Sequence, residues 1–386
     1  MNVLRKKVIL LIIVLFSLFS FSSCERYGTE IENMMIIQGI AVDKDKDGFI
    51  VTVEMLNNKQ SASADAGNVG EDMTLVYSSR GETIAEALRL MINKTGTIPV
   101  YTHNKVIILS EEVVKSDVSK TLDFFERDYT TQPTTLLCVA KNVRAGEVLK
   151  ANIGKDISRS EVLEKILTQS SKSSITPEIR LLDAINVILD ETACVVLPAV
   201  TIEKNKDNDA FFVKDSAVFD YKNQISYYVG IKDSESIVRL LGEIKNGTLV
   251  TEDASGNKAT FLIVEGKTKY DVSVNNGIIL YKVKIKMFCD LNAYEGDNFK
   301  TIKDETVKIF KENLKEKVER ETEKTYNTVL QNGGFDVFRF GRRLLQNEKQ
   351  AYNRNKNTWQ ESFKKSELEV EAEIIIRRIG EESYHE

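Results

Sequence analysis

Histidine is nearly missing from this 386-residue chain. It has only His103 and His385, so metal or nucleophile chemistry built on imidazole has almost no material. Cysteine is scarce too: besides Cys24 there are Cys138, Cys194 and Cys289, each in an apolar, strand-like run. An odd number at wide spacings indicates neither a disulfide framework nor a metal knuckle, and reads as buried free thiols. No glycine-rich phosphate loop is present and no serine stands in a nucleophile elbow. No carboxylate pair stands on an apolar background that would drive its two pKa values apart. There is no internal repeat and no surplus of positive charge, since 53 Lys+Arg face 58 Asp+Glu. A net charge of −5 argues against nucleic acid and against electrostatic adhesion to anionic lipid. An enzyme is left without its chemistry, and the expectation is no catalytic residue, no cofactor and no bound metal.

Long apolar runs are also few, and one opens the chain. Arg5, Lys6 and Lys7 form a basic start, and residues 8–21 are apolar with serines the only interruption. Phe21-Ser22-Ser23 then sets small residues just before Cys24. This is the build of a secretory signal over 1–23, with an apolar core shorter than a membrane span. With Cys24 first in the mature chain, the site looks like a bacterial lipobox, whose thiol receives a diacylglyceryl group. Phe21 departs from it, standing where Leu is usual. Each buried methylene contributes about 0.8 kcal/mol, so two or three acyl chains hold a soluble domain durably. An uncleaved single-pass anchor and a secreted protein with an incidental Cys24 are the alternatives. On the lipoprotein reading, everything after Cys24 faces the outer side of a membrane. Losing 1–23 removes three cations and no anion, taking the net charge from −5 to −8, so membrane contact rests on the lipid.

Apolar-rich runs over 34–42 and 49–56 bracket Asp43-Lys44-Asp45-Lys46-Asp47-Gly48, and 57–72 has the polar, small composition of a mobile loop. Residues 73–77 read as a short strand. A helix follows, with Thr83 as cap and Ala85, Leu88, Met91 and Ile92 on one face. Further strands are predicted at 106–109, 134–140 and 194–202, with Pro198 marking an edge or bulge. Helices are predicted around Val118, Leu122 and Phe125, and near 161–169 and 178–189. Strands alternating with helices give this half an α/β or α+β character. The wholly polar 204–209 is the predicted boundary between an N-terminal α/β-type domain, 24–205, and a C-terminal α+β domain, 210–386.

Beyond it a hairpin is predicted from 211–221 and 225–229, then a helix near 234–244 capped by Asp233 or Ser234. Strands follow at 261–264, 270–274 and 278–289, the last two joined by Asn275-Asn276-Gly277. A long helix is predicted over about 301–330, where Phe310, Leu314, Val318, Tyr326 and Leu330 recur every four residues with Thr322 in the gap. Gly333-Gly334 ends it. Residues 366–379 alternate, with Leu368, Val370, Ala372, Ile374 and Ile376 facing one way and Glu367, Glu369, Glu371 and Glu373 the other. The run ending at Cys289 mirrors this, with Lys282, Lys284 and Lys286 outward. Opposite charges help strands choose partners, so these two are predicted neighbours in one sheet, against the alternative of two separately solvated faces. The class is α+β: mixed and antiparallel sheets packed with helices, one of them long and amphipathic.

Asp43-x-Asp45-x-Asp47-Gly48 followed by Glu54 meets the EF-hand calcium pattern at every required position. That motif needs flanking helices, whereas the β-branched runs here prefer strands and would carry Glu54 away from the loop. A hairpin turn without metal is the preferred reading. His103 reads as a structural histidine bonding a loop carbonyl rather than an acid–base or interface group. Trp359, Phe335, Phe338 and Phe340 read as core rather than ligand cage.

Several stretches taken in order carry a resemblance. They are Met35-Ile36-Ile37-Gln38-Gly39-Ile40-Ala41-Val42-Asp43, Thr102-His103-Asn104-Lys105-Val106-Ile107-Ile108 and Leu122-Asp123-Phe124-Phe125-Glu126-Arg127-Asp128. Later come Ala217-Val218-Phe219, Tyr228-Val229-Gly230, Phe335-Asp336-Val337-Phe338-Arg339-Phe340-Gly341, Trp359 and Ile376-Arg377-Arg378-Ile379-Gly380. In these, and in the lipidated cysteine, the chain resembles the Ger(x)C lipoproteins, C subunits of the germinant receptors of endospore-forming bacteria. It departs from them in having Glu25 where Trp is usual, and in lacking the Pro common before the tryptophan segment. The resemblance implies an α+β multidomain fold and a non-catalytic subunit on the outer face of the inner spore membrane. There it would act with a large membrane A subunit and a transporter-like B subunit in sensing small nutrients. It carries over Cys24 as the lipidated residue and no germinant contact. The polar face of the long helix and the 336–341 turn are candidate docking surfaces. A free-standing solute-binding lipoprotein, needing two lobes around a polar pocket, is the alternative function.

Overall fold

The computed structural model describes residues 33–57, 73–128, 130–154, 157–296, 302–379 and 382–383. The signal, Cys24 and most of the 57–72 loop lie outside them. The larger sheet starts with β1 (Met34–Asp45) and β2 (Gly48–Leu56), an antiparallel hairpin that closes at Lys46-Asp47. β3 (Thr74–Gly81) adds to β2, and α1 (Ile84–Thr95) starts on Thr83, whose hydroxyl accepts from the Glu86 amide. The unforeseen β4 (Ile98–Val100) and β5 (Val106–Ser110) both run parallel to β1. Helices α2 (Glu111–Val114) and α3 (Ser119–Arg127) lead to β6 (Leu136–Ala140). Then α4 (Ala145–Lys150), α5 (Arg159–Lys172) and α6 (Leu181–Ile188) lead to β7 (Val196–Glu203), giving a parallel centre β1-β5-β6-β7. The antiparallel β8 (Ala210–Phe219) and β9 (Ile225–Val229) complete the order β3-β2-β1-β5-β6-β7-β8-β9, with β4 beside β1.

The polar 204–209 segment is the loop of the β7–β8 hairpin, so hydrogen bonding of the large sheet runs across it to Val229. Pro198 lies in an interior strand, beside the bulge at Ala199 and Val200. α7 (Ile231–Leu241) begins at Gly230 with no side-chain cap, so neither Asp233 nor Ser234 serves as one.

The smaller sheet has the order β10 (Gly247–Glu252), β11 (Lys258–Asn275), β12 (Ile278–Tyr294), β13 (Glu367–Ile379) and β14 (Glu382–Ser383). The strands expected at 261–264 and 270–274 are one, because a bulge at Ile263/Glu265 lets the polar residues between them follow β12. Asn276 and Gly277 take φ of 52° and 82°, the left-handed pair that a two-residue hairpin turn requires. β12 and β13 are neighbours as expected, and parallel. Lys282 meets Glu369 at 2.9 Å, Lys284 meets Glu371 at 3.1 Å and Lys286 meets Glu373 at 2.7 Å. A parallel pair needs a long crossover. Here it consists of α8 (Asp304–Gln331), α9 (Phe340–Asn347), α10 (Lys349–Asn355) and α11 (Trp359–Lys364).

α8 buries Phe310, Leu314, Val318, Thr322 and Tyr326 in the core shared with the small sheet. Its apolar stripe is narrow, so polar side chains on both flanks reach the sheet margins. Asn313 and Lys317 donate to the Glu252 and Val250 carbonyls of β10 at 3.0 and 2.7 Å. On the other flank Glu319 and Glu323 accept from the Ala372 and Val370 amides of β13 at 2.8 and 3.4 Å. One apolar core runs from Cys194, Val196, Val218 and Val229 at the end of the large sheet into the small sheet and its helices. Two further clusters lie within the large-sheet half.

Candidate functional site

The acidic residues of the calcium-like pattern are drawn apart by the hairpin. Asp43, near the end of β1, accepts from the Ala145 and Gly146 amides at the start of α4, at 2.9 and 2.8 Å. Burial raises its carboxyl above the ordinary value, and these two amides work against that. Glu54, fully buried on β2, accepts from the Arg159 and Ser160 amides at the start of α5 at 2.8 and 2.7 Å. It also accepts from the Thr74, Ser158 and Ser160 hydroxyls. Both carboxylates thus hold helix starts, where unpaired amides favour an anion. Asp45 pairs with Arg80 at 2.7 Å, and among the described residues no group of His, Cys, Asp and Glu is placed to hold a metal. Gly39 makes the α5 contact possible, because a Cβ there would stand 2.1 Å from Ser160 Oγ.

The 336–341 turn, expected as a docking surface, is instead interior: Asp336, Val337, Phe338 and Phe340 are buried. Asp336 accepts from the Phe338, Phe340 and Gly341 amides at 3.2, 3.0 and 2.8 Å and from Trp359 Nε1 at 3.3 Å. Complete burial pushes its carboxyl up to about 7, against the pull of those four donors. Its backbone joins the two halves: its carbonyl accepts from the Cys194 amide at 2.9 Å, and its own amide donates to Tyr221 Oη at 3.2 Å. Arg339 is held at φ 60° there. Trp359, Phe338 and Phe340 pack with Tyr281, Tyr326 and Phe363 as core, while Phe335 packs on Tyr221 and Tyr227. Sequence reading found these aromatics but missed the carboxylate they enclose, whose signal is one Asp in an otherwise aromatic and basic run.

A cleft of about 460 Å³ opens between the two halves, lined by Pro133, Glu178, Arg180, Asp183, Glu243 and Lys245 among others. Most of its charges are already matched: Glu178 pairs with Arg180 at 2.8 Å and Lys245 at 3.4 Å, and Glu243 with Arg339 at 3.8 Å, while Asp183 accepts from the Arg180 amide. Among the described residues no set of free donors converges on a ligand there. His103 is exposed and makes no carbonyl bond among the described residues, so the structural role expected of it is not seen. Cys138, Cys194 and Cys289 are free and buried, and burial raises all three thiols. No helix among the described residues is long and apolar enough to cross a membrane.

The family pattern described as "Spore germination protein N-terminal domain" matches residues 28–202, and "Spore germination B3/GerAC like, C-terminal" matches residues 214–380. The break between them falls on the β7–β8 loop region. The chain is 23% identical to spore germination protein KC of Bacillus subtilis, covering 97% of this chain and 96% of that protein. It is 22% identical to spore germination protein B3 of the same organism, covering 91% and 92%. With spore germination protein GerQC of Bacillus cereus it shares 23% over 91% and 93%. The crystal structure of the GerBC protein has the same fold, with a TM-score of 0.59 at 21% identity over 90% of this chain and 99% of that one. Two adjoining domain patterns, met in order across an α+β chain of this fold, make the protein a member of the Ger(x)C family of spore germination proteins.

Proposed function

We propose that this protein is a lipid-anchored, non-catalytic subunit of a nutrient germinant receptor. It acts in spore germination on the outer face of the inner spore membrane, together with a membrane A subunit and a B subunit. The end-to-end match to spore germination proteins carries the reading. Supporting it, the chain opens with a basic start, an apolar run and small residues before Cys24. Of the acidic residues in the calcium-like pattern, Asp43 and Glu54 are spent on helix starts and Asp45 on an ion pair with Arg80. Tethering through Cys24 confines the globular part beside its membrane partners and raises their effective concentration without new contacts.

The test is Cys24→Ala in the full chain, read by membrane fractionation and by nutrient-triggered germination of spores. The variant is expected to leave the membrane fraction and to slow germination. Retention in the membrane together with normal germination would overturn the proposal.

A further inference from the structure

Open sheet edges invite added strands, and natural chains block them. Three long edges here carry such blocks. The Lys94 ammonium donates to the Ser78 carbonyl of β3 at 2.6 Å. α8 covers the other two, donating to the carbonyls of β10 and accepting from the amides of β13. β9 differs. Beyond its ladder to β8, the backbone of residues 225–229 has no partner among the described residues. Ser226 is exposed, Gly230 opens on empty space where a Cβ would stand, and Ile231 is 39% exposed, and among the described residues no backbone bond closes the margin.

The strand is nevertheless rigidly held. Tyr227 packs near Phe335 and Val229 is buried, while the Tyr228 hydroxyl donates to Glu111 at 2.9 Å. Ile225-Ser226-Tyr227-Tyr228-Val229 contains neither lysine nor proline, the residues that discourage strand addition, and its one irregularity is the bulge at Ser226, opposite Val218 and Phe219.

We propose that β9 is a docking edge for an extended segment of a partner polypeptide, which adds as a further strand of the large sheet. Alternating unpaired N–H and C=O groups are complementary to one thing, the backbone of another strand. Lys222 and Lys232, both exposed and without an ion pair among the described residues, stand at the two ends of the edge. They select a segment with acidic residues flanking an extended run of roughly five, about 17 Å long. The inference stands apart from the receptor reading, since it concerns what this edge binds and not where the protein works.

The experiment measures hydrogen exchange of β9 amides in the protein from residue 24 onward, mixed with a seven-residue peptide of alternating Thr and Val between terminal Glu residues. The expected result is exchange slowed about tenfold or more at those amides of 225–229 that do not donate to β8. The same peptide N-methylated at alternate residues is expected to slow it less than about twofold. Ser226→Pro is expected to abolish the protection. The pair Lys222→Glu and Lys232→Glu, which leaves the main chain intact, is expected to weaken it even if the proline variant does not fold. Absence of protection, equal protection by the methylated peptide, or protection that rises with the protein's own concentration would each overturn the proposal, the last by showing a second copy on the edge.

Discussion

Replacing Asp336 by Asn separates the two forces acting on that buried carboxyl. The folded carboxyl titrates near 7, against an ordinary value of 3.8, with desolvation as the largest cause. A raised folded pKa means that between pH 4 and pH 7 the folded chain holds a proton that the unfolded chain has released. Stability from this group is therefore present at pH 4 and is lost as pH rises towards 7, by roughly 4 kcal/mol over the three units. The asparagine amide of the variant cannot titrate. At pH 4 it resembles the protonated carboxyl, but its NH2 cannot accept from Gly341 N or Trp359 Nε1, at a cost of about 1–3 kcal/mol for each donor left unpaired. The variant should thus be the less stable protein at pH 4, and the gap should close or reverse by pH 7.5. Trp359 is the sole tryptophan and is 2% exposed, so urea unfolding followed by its fluorescence reads this site directly. Two proteins whose stabilities run parallel from pH 4 to 7.5, with a gap constant within about 0.5 kcal/mol, would refute the reasoning.

Glu54→Ala leaves the buried Ser160 amide and the half-buried Arg159 amide without an acceptor and should lower stability by about 3 kcal/mol or more in urea titration. A loss under about 1 kcal/mol would mean that α5 does not depend on this cap. Lys286→Glu sets like charges beside Glu373 and should lower the urea midpoint, and adding Glu373→Lys should restore it. Failure of the double exchange to recover the midpoint would show that the ladder does not choose this pairing.

What was legible in the sequence had a period. Strict alternation gave the β12–β13 pair and the every-fourth-residue stripe gave α8 to within a few residues, while the β1–β2 hairpin came from β-branched runs on either side of an Asp-Gly turn. Residues 265–269 were not legible, because Glu-Gly-Lys-Thr-Lys has no apolar face. They are extended because β12 imposes its register, and because Gly266 lets Ile244 close on the strand, where a Cβ would come within 2.3 Å. The polar 204–209 run was legible as a break, yet polarity alone does not tell a hairpin loop from a boundary between sheets. Asp336 lay hidden because its meaning comes from four donors that the chain collects only on folding. For the same reason, the charges along α8 looked like a solvated rod, though four of its polar residues are tied to strand backbones.

That helix works as a clasp. Because one rod grips β10 on one side of the small sheet and β13 on the other, neither strand can peel away while the rod stays seated, and the rod cannot lift without releasing both. The unit should therefore let go as a whole, and any pull transmitted through it would reach both strands together.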